Sequence, residues 1–117
     1  MSAAVLHAHV ILNPAAGRGA ARRVESIVAR AFRAHGWAVD VVRTEGPGHG
    51  QELAAQAVRQ GARHVVAVGG DGTVHEVANG LLRTDAETAL GVVPVPPQAA
   101  LTADERKAVE QALAEVA

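Results

Sequence analysis

The sequence predicts an α/β fold, three-layer αβα, with helices on both faces of a mostly parallel sheet. Three observations predict it. Short apolar runs of β-type composition alternate with segments whose apolar residues recur at helical spacing. Glycine-rich turns separate the two kinds of segment, and such an alternation calls for parallel strands joined by right-handed crossovers. The 117 residues are 49% hydrophobic, which fits one domain with one core. With one Trp, one Phe and no Tyr, that core has to be Ala, Val, Leu and Ile, whose small side chains favour close helix–sheet packing.

Taken in order, His7 to Leu12 is a short apolar run and the first strand. Asn13-Pro14-Ala15-Ala16-Gly17-Arg18-Gly19 is a loop by its Asn-Pro and its glycines. Residues 20–35 form a helix with Val24, Ile27, Val28 and Ala31 on one face, ended by Gly36. Trp37 to Val42 is the second strand, and Thr44-Glu45-Gly46-Pro47-Gly48 a loop. A second helix covers 49–60, with Leu53, Ala54, Ala57 and Val58 inward and Gly61 as its cap. Arg63 to Val68 is continuously apolar from Val65 onward, as a strand buried on both faces should be. Gly69 to Thr73 is a turn, Val74 to Leu82 a helix and Ala89 to Val93 the fourth strand. Pro94-Val95-Pro96-Pro97 fits neither a helix nor a central strand. Thr102 and Glu105 then make a capping box for a last amphipathic helix carrying Val109, Leu113 and Val116. All 117 residues read as a single domain.

Composition narrows the function. A net charge of −1 gives no general attraction to nucleic acid, and no nucleic-acid partner is expected. Cysteine is absent, so there is no disulfide framework and no thiolate chemistry. No apolar run approaches the roughly 20 residues a transmembrane helix needs, and the N-terminus lacks the pattern of a signal peptide. A cytoplasmic location follows as the expectation, with peripheral contact to a membrane where a lipid is the substrate.

Function concentrates in the loops. Ligands of parallel sheets bind beyond the carboxyl ends of the strands, where both glycine-rich loops, 13–19 and 69–73, are placed. Gly69, Gly70 and Gly72 are expected to turn the backbone through positive φ and bring its amides close to phosphate, assisted by the positive end of the next helix. Asp71 is the carboxylate of that turn, suited to hold Mg²⁺ or to accept a proton from an attacking hydroxyl. The first loop is not a Walker A loop, because the chain's one lysine, Lys107, lies far away in the tail. Nor is it a full dinucleotide fingerprint, since Arg22 occupies the third glycine position. Arg18, Arg22 and Arg23 stand where an anionic ligand or lipid surface would be reached, whereas Arg30 and Arg33 read as a solvated helix face. The six histidines show no metal-binding spacing, and His75-Glu76-Val77-Ala78-Asn79 lacks the second histidine of a zinc protease. His49 reads as a cap-region residue of the second helix.

Three segments together resemble the diacylglycerol kinase catalytic family, which includes bacterial lipid kinases, sphingosine kinases and ceramide kinases. They are Asn13-Pro14-x-x-Gly17, Thr44-x-x-x-Gly48-His49-x-x-Glu52-Leu53-Ala54 and Gly69-Gly70-Asp71-Gly72-Thr73-x-x-Glu76-Val77-x-Asn79-Gly80-Leu81. They occur in the family's order, and the resemblance spans residues 5–94. It implies the Rossmann-like nucleotide-binding part of that family. It also implies transfer of the ATP γ-phosphoryl group to a lipid hydroxyl, with Mg²⁺, at a membrane surface. By resemblance, Asn13 and Gly17 contact the nucleotide and Thr44 the nucleotide or its phosphates. Gly69, Gly70, Gly72 and Thr73 form the phosphate cradle, Asp71 is the general base or an Mg²⁺-linked group, and Glu76 and Asn79 are supports.

The pattern departs after the fourth strand. The family continues as Pro-x-Gly-Thr-x-Asn-Asp-Phe, but here Pro94-Val95 is followed by Pro96-Pro97-Gln98. Prolines cannot supply the backbone donors of the missing Gly-Thr. The resemblance therefore implies an incomplete lipid kinase domain that turns over poorly alone. The alternatives are a non-catalytic nucleotide-binding or regulatory relic, and a small-molecule kinase of the NAD-kinase type, which shares the Gly-Gly-Asp-Gly-Thr core. The terminal helix is expected to cover a sheet edge or to pair with a second copy of the chain.

Overall fold

Among residues 5–95 of the described chain, four strands of six residues each alternate with three α-helices: β1 (His7–Leu12), α1 (Ala20–Ala34), β2 (Ala38–Arg43), α2 (His49–Arg59), β3 (His64–Gly69), α3 (Asp71–Leu82) and β4 (Ala89–Pro94). The computed structural model describes residues 5–84 and 87–95, with Lys107, Gln111 and Ala114 as single positions, each helical and exposed. The segment 96–101, the Thr102 and Glu105 capping box, the inward positions of the last helix and the side chain of Arg18 lie outside the described residues.

All strands are parallel, in the order β2-β1-β3-β4. The register sets His7 opposite Ala38 and Leu12 opposite Arg43, Val10 opposite Val66, and Gly69 opposite Pro94. Alternate side chains of a strand point to opposite faces. Val10, Leu12, Val66, Val68 and Val93 therefore meet Val24, Val28 and Phe32 of α1 on one face. On the other, Ile11, Val65 and Ala67 pack with Ala54, Ala57 and Val77 from α2 and α3. This is the three-layer αβα architecture, with small aliphatic side chains on both faces, but the chain's two aromatics, Phe32 and Trp37, also enter the α1-side core instead of leaving it wholly aliphatic.

Glycines end the first two helices as expected. Gly36 (φ 82°) donates to Arg33 O at 3.0 Å, and Trp37 donates to Phe32 O at 3.0 Å. Gly61 (φ 90°) donates to Val58 O at 2.9 Å, and Ala62 to Ala57 O at 3.0 Å. Both are Schellman closures, which need a left-handed residue at the first position past the helix. Trp37 was expected to begin the second strand. It instead completes the closure, its ring 5.1 Å from that of Phe32, and the strand begins at Ala38.

The α2 and α3 helices lie against each other because Gly80 has no side chain. A Cβ there would sit 2.8 Å from Ala54 Cβ and still closer to the backbone oxygen of Gln51. One boundary differs more. The α3 helix starts at Asp71, three residues before the expected Val74, with extended Gly70 (φ −86°, ψ −171°) as its cap. An aspartate in the first turn is favoured by the helix dipole, so the turn expected at 71–73 is taken up into the helix.

Candidate functional site

The strand order reverses between β1 and β3. The chain leaves β1 toward the β2 side and β3 toward the β4 side, so the two following loops part and open a crevice. The first loop is pinned to the sheet where Asn13 N donates to Val68 O at 2.9 Å. Asn13 Oδ1 accepts from Ala15 N at 3.0 Å, and Ala16 N donates to Asn13 O at 3.1 Å. Asparagine thus builds the turn with its side-chain oxygen, and its Nδ2 is the remaining polar group. Beyond it, Gly17 is left-handed (φ 61°).

The second loop corrects the expectation for its glycines. The left-handed glycines of the described chain are Gly17, Gly19, Gly36, Gly48 and Gly61, and neither Gly69, Gly70 nor Gly72 is among them. What this loop needs is space. A Cβ on Gly69 would lie 2.6 Å from Thr73 Oγ1 and 2.8 Å from Thr73 Cβ, so Gly69 is what lets buried Thr73 seat beneath the loop. A Cβ on Gly70 or Gly72 would meet nothing within 4 Å. In front of that open backbone, the first-turn amides of α3 have no intrahelical acceptor and carry the positive end of the helix dipole.

Two adjoining clefts of about 440 Å³ each share this rim. One is lined by Asn13, Gly17, Gly70, Asp71, Gly72 and Thr73, and closed by Val95, whose amide donates to Gly69 O at 3.0 Å. The other is lined by Asn13, Thr44, Glu45, Gly72, Thr73 and Glu76. Asn13, Gly17, Thr44, Gly70, Asp71, Gly72, Thr73 and Glu76 line one or both clefts, whereas Gly69 lines neither, because it is buried behind Thr73. Asn79 also lies outside both, half-buried further along α3.

The Thr44 loop is held from both ends. Thr44 N donates to Leu12 O at 2.9 Å, and His49 Nδ1 accepts from Glu45 N at 2.9 Å. Glu76 packs beside the start of α2, where a Cβ on Gly50 would come within 3.4 Å of its own Cβ. Its Oε1 is buried without a hydrogen-bond partner. An orphaned carboxylate oxygen in a cleft wall fits a cation or a ligand donor. Exposed Asp71, on the wall of the other cleft, is an oxygen donor of the kind Mg²⁺ takes.

The charge of the rim is informative. Among the described residues its lining includes Glu45, Asp71 and Glu76 and no lysine or arginine. Arg22, Arg23, Arg30 and Arg33 are exposed on α1 and line neither cleft.

One cluster escaped sequence reading. His7, His9 and Asp40 each offer a ligand atom, and these atoms lie within 4.8 Å of one another. They line a larger cleft, of about 670 Å³, whose wall also holds Gln60, Arg63 and His64. The histidines do have a metal-type spacing after all, but it is the period of two of a strand, His7-x-His9, and its acid comes from the neighbouring strand.

The family model for the diacylglycerol kinase catalytic domain matches residues 7–95. The diacylglycerol kinase of Bacillus subtilis is 34% identical over 88 residues, covering 75% of this chain and 29% of that protein. Sphingoid long-chain bases kinase 1 of Arabidopsis thaliana is 36% identical over 92 residues, covering 73% of this chain and 12% of that protein. Mitochondrial acylglycerol kinase of Xenopus laevis is 37% identical over 93 residues, covering 79% and 21%. A crystal structure of a diacylglycerol kinase from Bacillus anthracis superposes with a TM-score of 0.69 at 22% identity, over 80% of this chain and 34% of that one, which shows the shared fold. The chain spans less than a third of the length of these curated relatives.

Proposed function

The chain belongs to the diacylglycerol kinase catalytic-domain family, and from that premise we propose that it is the nucleotide-binding part of an ATP-dependent lipid kinase. The reaction is transfer of the γ-phosphoryl group to a lipid hydroxyl such as that of diacylglycerol. The observation that carries this reading is the open start of α3 at the point where the strand order reverses, faced by Asn13, Thr44 and Glu76.

In this reading Asn13, Gly17 and Thr44 contact the nucleotide, and the backbone at Gly70, Gly72 and Thr73 receives the phosphates. Gly69 supports them by leaving room for Thr73. Such transfer depends on positioning and charge neutralisation more than on covalent chemistry by the protein. Mg²⁺, when bound, would supply positive charge beside the carboxylates of Asp71 and Glu76. Asp71 sits at the front edge, exposed, and either accepts the proton of the attacking hydroxyl or holds the metal. Glu76 and Asn79 brace α3. With no helix among the described residues long and apolar enough to cross a membrane, the lipid would be met at a membrane surface.

Calorimetric titration of Mg²⁺–ATP into this chain and into Asp71→Asn tests the reading. Binding by the native chain, weakened in the variant and weakened for both by chelating the metal, is expected. No heat at about millimolar nucleotide (a binding energy near 4 kcal/mol) from protein shown to be folded would contradict it.

Pro94-Val95-Pro96-Pro97 favours a second reading, a nucleotide-binding relic without turnover. The two part on diacylglycerol vesicles. Phosphorylated lipid removes the relic, whereas Mg²⁺–ATP binding without it is expected of both, because an incomplete domain turns over poorly alone.

A further inference from the structure

The His7, His9 and Asp40 cluster lies away from the nucleotide rim. A strand rises about 3.3 Å per residue. Four residues separate His9 from Asn13, which puts the cluster about 13 Å from the first loop.

Its construction follows from the sheet. His7 and His9 are alternate residues of β1, so both rings leave the same face, their centroids 4.2 Å apart. Asp40 is the register partner of His9 on parallel β2. This is the face that α2 and α3 cover further along β1, at Ile11. Near the start of β1 and on edge strand β2 it stays open, with Asp40 and Val42 exposed. His7 Nε2 approaches Asp40 Oδ2 at 2.6 Å, with the side chains 40% and 65% exposed. An ion can therefore enter from solvent.

We propose that His7, His9 and Asp40 form a binding site for a divalent transition-metal ion of the zinc type, clamping edge strand β2 to β1. Two imidazoles and one carboxylate are donors for such ions, whereas Mg²⁺ prefers oxygen ligands and keeps its waters. Three protein ligands leave a fourth position for water. Tetrahedral zinc holds its ligand atoms at about 2.0–2.2 Å, and hence about 3.3 Å from each other. The present donors span 2.6 Å to 4.8 Å, so closure asks for side-chain adjustments of an ångström or so. The ion takes the place of the hydrogen between His7 Nε2 and Asp40, which moves to Nδ1 or leaves to water. Burial, and then the neighbouring His7, hold His9 below the usual histidine range against the opposite pull of Asp40.

Zn²⁺ alone, titrated calorimetrically into the tag-free chain, tests this. Co²⁺ serves as a coloured substitute, and thermal melts are recorded with and without Zn²⁺. The expected result is one ion per chain, an intense visible Co²⁺ band and a melting temperature that rises with Zn²⁺ concentration. His9→Gln and Asp40→Asn should each weaken Zn²⁺ by at least about a hundredfold, the upper range even for outer-shell partners. Asp40→Asn keeps the size of an exposed side chain, so it reports on the site even where His9→Gln folds poorly. Excess Mg²⁺ should not compete, and Mg²⁺–ATP affinity should stay unchanged in Asp40→Asn. No Zn²⁺ heat, or Zn²⁺ binding that both variants retain, would overturn the proposal and leave His7–Asp40 as an ordinary surface ion pair.

Discussion

Gly69 and Gly70 are adjacent and do different work. Any Cβ on Gly69 collides with Thr73, whereas one on Gly70 points into open space from a backbone that alanine adopts freely. Gly69→Ala should therefore cost about 1–3 kcal/mol of stability, the usual range for overpacking, and weaken Mg²⁺–ATP along with it. Gly70→Ala should leave stability within about 0.5 kcal/mol of native while still weakening Mg²⁺–ATP, because the added methyl stands where phosphate would approach. Denaturant melts paired with calorimetry separate the two outcomes. A Gly70→Ala variant with native affinity would mean that the open backbone is not a phosphate seat. At this scale the sequence showed that glycines were needed at 69–72 but not why. Left-handed backbone was the natural expectation for Gly-Gly-Asp-Gly, and the structure instead uses Gly69 for its missing side chain. That distinction depends on the seating of Thr73, which no local pattern encodes.

Helix ends follow local rules, and the sequence was a good guide to them. Gly36 and Gly61 closed α1 and α2 where a left-handed residue was expected. The start of α3 was less legible, because Gly70-Asp71-Gly72 reads as a turn until Gly70 is seen to be extended and Asp71 helical. The contact between α2 and α3 was not legible at all. It rests on Gly80, which sequence reading treated only as part of a motif. Gly80→Ala should lower stability by about 1–3 kcal/mol or somewhat more, because its Cβ meets backbone as well as Ala54. For a domain of this size that is a melting-temperature drop of roughly 4 °C or more. The same interface positions Glu76 against Gly50, so nucleotide affinity should fall too. An unchanged melting temperature would mean that the two helices are not in the close contact described. The His7-x-His9 pair belongs to this scale as well. It was missed because its partner acid, Asp40, becomes visible only once β2 is paired beside β1 in register.

For the whole molecule, the alternation of strands and helices was enough to place both glycine loops on one rim. The strand order was not, because pairing is set by packing between segments far apart in sequence. That order, β2-β1-β3-β4, is what makes the rim a crevice, since it reverses between the two strands that carry the loops. It also leaves β2 and β4 as edges, with Leu90 of β4 and Leu82 at the end of α3 exposed. The central claim is that nucleotide is held at this reversal by the start of α3. Amide spectra of the ¹⁵N-labelled chain, recorded while Mg²⁺–ATP is added, test it most directly. Shifts should concentrate at Asn13–Gly17, Thr44–Gly46 and Gly70–Glu76, and spare His7, His9 and Asp40 at the other end of the sheet. Shifts gathered at the His7 end, or none at millimolar nucleotide, would contradict it.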